Sequence, residues 1–374
     1  MEYKIALLPG DGIGPEVAKQ AVNVLESVGK AFGHTFTFEE GLVGAIAIDK
    51  TGNPLPDETI KICLRGDAVL FGAIGDPKYD TNPDAKVRPE QGLLKLRKSL
   101  GLYTNVRPVK AYPTLLDKSP LKRNRIEGAD MLIYRELTGG IYFGEKHLSE
   151  DGKQASDLCS YSEEEISRIA RMAFEAAKLR RKKVTLVDKA NVLETSRLWR
   201  RVVTKIAKEE YPQIELDFLF VDNAAMQMIL DPRQFDVILT ENMFGDIISD
   251  EASVIGGSIG LLASASIGDE HGLFEPIHGS YPQAKGKNIA NPIASILSAA
   301  LLLDYLGLNE EGNAVREAVD IALANGVVTS DLDEHSTYGT KAVGDYISVL
   351  IQSAEELVVN LNHQNISLGQ STII

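Results

Sequence analysis

The sequence predicts an α/β fold on three observations. Apolar, strand-like runs alternate with helix-like ones over the whole length, the first run leads through a glycine turn into a helix, and no internal repeat or low-complexity tract breaks the alternation. Residues 3–8 read as a buried strand. Residues 9–15 make the turn, and Pro15 suits a first helical position, where a missing N–H costs nothing. Val17, Ala18, Ala21, Val22, Leu25 and Val28 then recur at helical spacing. Residues 68–71 form a second buried strand. The polar, proline-bearing segment 75–89 is a long loop of the kind that carries function, and residues 92–100 are helical. A middle section starts near Tyr103. In it, Ser162 and Glu165 form a capping box that opens a helix to about residue 181, residues 183–187 are a strand, and residues 214–221 alternate in part as strands do. Asn291 and Pro292 cap a helix over 293–306, which Gly307 ends.

At 374 residues the chain has length for two or more domains, and 44% hydrophobic with 25% charged residues is an ordinary globular composition. Fifty-three acidic against 39 basic residues leave a net charge of −14. Such a field repels nucleic acid and anionic lipid, and an anionic substrate requires a local cluster of arginines. Two cysteines, Cys63 and Cys159, make no disulfide framework and fit a reducing compartment. Residues 1–8 lack the pattern of a secretory signal, and the apolar run 293–303 is too short to span a bilayer. A cytoplasmic enzyme, binding neither nucleic acid nor membrane, is therefore expected.

Asp246 and Asp250 stand four residues apart, so a helix puts both carboxylates on one face. Between Met243 and Gly268 the only charges are these two and Glu251. The pair is either a solvated helix face or a site for a hard divalent cation, which would relieve the repulsion of two like charges. Gly10, Gly12 and Gly14 suggest a dinucleotide fingerprint, but its further glycine is missing where Glu16 and Val17 stand, and only Glu39 or Glu40 could serve as its acidic residue. Arg97, Arg107 and Arg135 lie on otherwise apolar elements. Each alone reads as a surface or paired arginine; together they make a carboxylate clamp. Tyr142 follows a diglycine and Lys189 follows a strand, positions that suit packing and solvent but also proton transfer, with the lysine's pKa lowered if cations adjoin it. Asp222 closes an apolar strand and could be a third metal ligand, while backbone donors after His278 could hold a phosphate or a base.

Six ordered segments carry a resemblance. They are Leu8-Pro-Gly-Asp-Gly-Ile-Gly-Pro-Glu16, Pro89-Glu-Gln-Gly-Leu-Leu-Lys-Leu-Arg-Lys98, Arg135-Glu-Leu-Thr-Gly-Gly-Ile-Tyr-Phe-Gly144, Asp188-Lys-Ala-Asn191, Asn242-Met-Phe-Gly-Asp-Ile-Ile-Ser-Asp250 and Glu275-Pro-Ile-His-Gly-Ser280. With them the chain resembles the isocitrate/isopropylmalate family of β-decarboxylating dehydrogenases over nearly its whole length. The resemblance implies two α/β domains that share a central mixed sheet, unlike an ordinary Rossmann fold. Residues 1–102 with 257–374 would bind the cofactor, and residues 103–256 would carry the dimer interface and the metal ligands. It also implies that Arg97, Arg107 and Arg135 bind the malate carboxylates, that Asp222, Asp246 and Asp250 hold Mg²⁺ or Mn²⁺, and that Lys189 and Tyr142 move protons, with Asp222 beside them. A homodimer follows, because in the family the lysine and one aspartate reach in from the partner subunit.

Leu93 and Leu94 stand where isocitrate-using relatives offer polar residues to a third carboxylate, and burying that charge against leucine is costly. The expected substrate is therefore 3-isopropylmalate, on the path to leucine, with D-malate or tartrate as the rival acids and a non-catalytic regulatory relative as the rival class. Retention of Tyr142, Lys189 and the three aspartates speaks against that class. NAD contacts are implied at Ile13, Asp76, Glu90, His278, Gly279, Ser280, Tyr281, Gln283, Asn291 and Asp331. Gln283 departs from the family pattern, where NAD-dependent members place aspartate; it can bond the ribose but carries no charge to reject a 2′-phosphate, and Lys285 and Lys287 are close.

Overall fold

The computed structural model describes residues 1–81 and 87–353. Residues 82–86 of the expected loop, and 354–374 of the expected cofactor domain, lie outside the described residues. In chain order the strands are β1 (Glu2–Gly10), β2 (Thr35–Glu40), β3 (Ala68–Ala73), β4 (Thr104–Lys110), β5 (Asp130–Glu136), β6 (Lys146–Leu148) and β7 (Ala155–Asp157). They continue with β8 (Lys183–Asp188), β9 (Glu215–Phe220), β10 (Val237–Thr240), β11 (Ala263–Ile267) and β12 (Gly272–Pro276). The chain forms two compact units, one of Met1–Leu102 with the chain from Gly257 onward, the other of Tyr103–Gly256.

In the first unit the strand order is β2-β1-β3-β12-β11, parallel throughout except that β11 runs antiparallel to β12. Every residue of β3 is buried, which is why it reads as an unbroken apolar run. The Gly14–Phe32 helix buries Val17, Ala18, Ala21, Val22, Leu25 and Val28, the stripe its periodicity predicts, and ends at Gly33 in the left-handed region with φ 75°. The Ile293–Tyr305 helix is buried on nearly every side, packed by the Gly14–Phe32 and Asn309–Ala324 helices and by β11 and β12. This explains its greasy, serine-dotted sequence. Pro292 stands at its N-cap, and Asn291 Oδ1 just before it accepts from the Ile293 amide at 3.0 Å.

The glycine turn differs from a dinucleotide fingerprint for a steric reason. Gly12 has φ 57°, and a Cβ there would lie 1.9 Å from the Ser280 carbonyl oxygen. The Ile13 amide donates to that same oxygen at 2.7 Å. The close approach that glycine permits is thus spent on the chain's own 278–281 segment. Behind it Ile13, Val17, Ala284 and Ala290 pack together.

In the second unit the order is β4-β5-β10-β8-β9, with β4 antiparallel to β5 and the rest parallel. Its core gathers Met131, Ile133, Val187, Phe235, Ile238 and Ile248. The capping box at Ser162 is present, and its helix runs Glu163–Lys178, stopping short of the expected 181. β6 and β7 form a separate antiparallel ribbon. The 75–89 segment holds a short Pro77–Asp80 helix capped by Asp76. Strand β9 ends at Phe220, so Asp222 lies in the first turn of the Val221–Leu230 helix instead of closing the strand.

Candidate active site

In the second unit, the candidate side chains collect at the carboxyl ends of parallel strands, where open α/β sheets place their ligands. Arg135 lies at that end of β5, Lys189 follows β8, Asp222 follows β9, and the Asn242–Ser253 helix follows β10. Glu241 caps that helix by accepting from the Phe244 amide at 2.9 Å. Asp246 receives Arg135 Nη1 at 2.5 Å on one oxygen and the Tyr142 hydroxyl at 3.0 Å on the other. Asp250 receives Arg107 Nη1 at 3.0 Å, and the same nitrogen reaches Ser249 Oγ at 2.6 Å. Arg107 Nη2 stands 3.8 Å from Asp246. Two guanidinium groups therefore already offset the carboxylate pair, so its charge balance does not depend on a metal ion.

Tyr142 lies in the Gly140–Tyr142 turn and is partly exposed. Burial first, then the Asp246 carboxylate, raises its phenol pKa and keeps the hydroxyl protonated at neutral pH. Lys189 and Asp222 are brought together, Nζ to Oδ1 at 2.5 Å. The lysine is thus paired with a carboxylate, and it holds the Asp222 carboxyl below the usual carboxylate range. Asp222 does not join Asp246 and Asp250 within one chain: among the described residues no three His, Cys, Asp or Glu stand close enough to share a metal.

In the first unit the candidate cofactor residues also follow strand ends: Ile13 after β1, Asp76 after β3, and the 278–281 segment after β12. Ser280 is buried, Tyr281 is exposed with φ 37°, and a Cβ on Gly279 would meet nothing within 4 Å. His278 Nε2 is buried without a hydrogen-bond partner among the described residues, and burial pushes the imidazole pKa down. Asn291 Nδ2 donates to Asp331 at 3.1 Å, and Asp331 also accepts from Ser258 at 2.8 Å. Gln283 is exposed in the Pro282–Ala284 turn. Glu90 opens the Pro89–Ser99 helix, with an oxygen 3.1 Å from where a Cβ on Gly75 would stand. On that helix Leu93 packs against the core and Leu94 is exposed. Arg97 pairs with Glu275 at 2.7 Å, and its Nε has no partner among the described residues.

Sequence reasoning missed the residues that hold these groups. Asp11, 6% exposed, accepts three backbone amides, from Ala45 at 2.8 Å, Ile46 at 2.9 Å and Gly75 at 2.9 Å, tying the glycine turn to the segment that carries Asp76. Asn242, Tyr161 and Glu241 lie behind Arg135. An aspartate between turn glycines, and an asparagine opening a motif, are the signals that could have found two of them.

Guanidinium groups, carboxylates and a tyrosine hydroxyl held at strand ends are equipment for a small acidic substrate in an α/β enzyme. The chain belongs to the isocitrate/isopropylmalate dehydrogenase family, whose profile matches residues 4–347. It is 53% identical over 356 residues to a 3-isopropylmalate dehydrogenase of Bacteroides fragilis, covering 95% of this chain and 100% of that one. To the enzyme of the same name from Aquifex aeolicus it is 52% identical over 352 residues, 92% of this chain and 96% of the relative. Among solved structures, isocitrate dehydrogenase from Methylococcus capsulatus superposes with a TM-score of 0.83 at 35% identity, covering 94% of this chain and 99% of that one. A β-decarboxylating dehydrogenase from Thermococcus kodakarensis does so with a TM-score of 0.80 at 38% identity, covering 98% and 100%.

Proposed function

We propose that this chain oxidises and decarboxylates (2R,3S)-3-isopropylmalate to 4-methyl-2-oxopentanoate, reducing NAD, in cytoplasmic leucine biosynthesis. The observation that carries the chemistry is the single helix face on which Asp246 and Asp250 are laced to Arg107, Arg135 and Tyr142. Leu94, exposed on the helix of Arg97, supports an isopropyl-bearing acid over isocitrate, because it offers a third carboxylate no partner.

Arg97, Arg107 and Arg135 bind the substrate carboxylates through planar, bidentate guanidinium contacts. Lys189 takes the proton of the C2 hydroxyl as that carbon is oxidised. The C2 ketone then lies β to the second carboxylate, so CO₂ leaves, and the Tyr142 hydroxyl gives a proton at C3. The phenol is protonated at neutral pH and so has a proton to give. The oxygen-only donor set of Asp246 and Asp250, with Asp222 as the third ligand, suits Mg²⁺ or Mn²⁺, and the unpartnered His278 Nε2 and open Gly279 suit a dinucleotide. When bound, the metal supplies a Lewis acid for developing oxyanion charge and NAD the hydride acceptor.

Asp222 and Lys189 serve the site of a second copy, in a homodimer. Supporting this are the separation of Asp222 from the other two aspartates and the exposed Met226, Ile229, Leu230 and Ile247 on the two helices that carry them. The test is NADH formation with 3-isopropylmalate, D-malate, tartrate and isocitrate, each with NAD or NADP, with Mg²⁺ or Mn²⁺ and after chelation. Preference for 3-isopropylmalate with NAD, lost on chelation, is expected. No turnover of that acid with metal present sinks the reading.

A further inference from the structure

Asn242 is almost completely buried, 1% exposed, and each of its polar groups is engaged. Its Oδ1 accepts from Arg135 Nη2 at 2.9 Å and Nε at 3.2 Å, and its backbone oxygen accepts from Nε at 3.0 Å. The other end of the same amide, Nδ2, donates to the Gly139 carbonyl at 3.2 Å. Its backbone amide donates to the Tyr161 hydroxyl at 3.0 Å, which in turn donates to Glu241 at 2.9 Å. One planar amide therefore joins the guanidinium of Arg135 to the diglycine turn from which Tyr142 projects.

The turn is also packed against Tyr161, which leaves no room for a Cβ at Gly139 or Gly140, and two further bonds hold it. Gly139 donates its amide to buried Glu136 at 2.7 Å, and Gly140, with φ 74°, donates to the Ser160 carbonyl at 3.1 Å. Neither bond refers the turn to Arg135. At the far end the Arg135 guanidinium stands 5.9 Å from the Tyr142 ring centroid and Asp246 bonds both residues, but that carboxylate is assigned to a metal, which would compete for its oxygens. The amide of Asn242 is engaged at both ends by protein groups and does not bond Asp246.

We infer that Asn242 is a positioning residue that sets the Tyr142 hydroxyl against the Arg135 guanidinium through its two-ended side-chain amide. The inference rests on the roles proposed above for Tyr142 and Arg135. Its two ends can be separated chemically. Asn242→Asp keeps an oxygen toward Arg135 at unchanged size, but removes the side-chain donor to the Gly139 carbonyl and sets an oxygen against it. The guanidinium stays anchored while the turn is released.

Steady-state kinetics of the full chain with 3-isopropylmalate, NAD and Mg²⁺ test this. Turnover by the unsubstituted chain is measured first, so failure of the proposed function shows there and is not confused with failure of this inference. With the parent active, N242D is expected to lower kcat about thirtyfold, since small misplacements of a reacting group cost on the order of a hundredfold, while KM for the acid stays within about threefold. N242D with kcat within threefold of the parent, or with KM raised as much as kcat falls, overturns the inference. If N242D does not fold, Asn242→Ser, too short to reach Gly139 and uncharged, takes its place. The inference then stands if the serine variant's kcat falls by a larger factor than its KM rises, and falls otherwise.

Discussion

Arg107 and Arg135 show how one residue type can hold two partners in turn. In the structure they offset Asp246 and Asp250, and the same forks are the groups proposed to bind a substrate carboxylate. Gln283 is the residue proposed to face the adenosine ribose. Replacing it by Asp places a carboxylate where the ribose is proposed to lie, which accepts from both ribose hydroxyls and repels a 2′-phosphate. Gln283→Asp is expected to raise the NAD over NADP ratio of kcat/KM about tenfold. Steady-state kinetics with both cofactors check it, and an unchanged ratio removes Gln283 from the cofactor site. The arginines, Tyr142 and Lys189 were legible as candidates because their charge or hydroxyl is conspicuous on apolar elements. Asp11 and Asn242 were not, because their work is done through backbone amides and carbonyls that no residue letter reveals.

Helices were legible where burial follows one stripe, as over Gly14–Phe32, and their ends where a capping box or left-handed glycine stops them. The Ile293–Tyr305 helix has no stripe, and what it buries depends on its neighbours. One of them meets it through charge: Arg316 of the Asn309–Ala324 helix donates to Asp304, which is 3% exposed. Burial pushes the Asp304 carboxyl from 3.8 up to about 6, with Arg316 acting in the opposite direction. A carboxyl with a raised folded-state pKa stabilises the fold fully below the unfolded value and loses that contribution as pH rises through the folded value. Across a window of about pH 4–6 this amounts to roughly 2–3 kcal/mol. Asp304→Asn is therefore expected to gain stability relative to the parent as pH rises from about 4 to 7, read as the difference between their unfolding temperatures at several pH values. A difference that does not change with pH contradicts the account.

The whole molecule, on the proposed reading, is incomplete as one chain, because Lys189 pairs with Asp222 while Tyr142 bonds Asp246. If each site takes its lysine from the other copy, co-expressing Lys189→Ala and Tyr142→Phe chains yields mixed dimers with one intact site. Activity should recover to about a quarter of the parent's, because half of randomly formed dimers are mixed. Size-sorted mixed dimers assayed beside each single variant check this, and activity no higher than theirs puts lysine and tyrosine of one chain in one site. By itself the sequence determined the α/β class, the helices and strands marked by a clear stripe, cap or apolar run, and the residue types the proposed metal-assisted decarboxylation needs, since periodicity and chemical identity are local properties. Tertiary structure alone decided that the glycine turn closes on Ser280, that arginines already balance the aspartate pair, and that one amide joins Arg135 to the turn of Tyr142. Each of these is a contact between residues far apart in the chain, and its energy depends on distances that only folding sets.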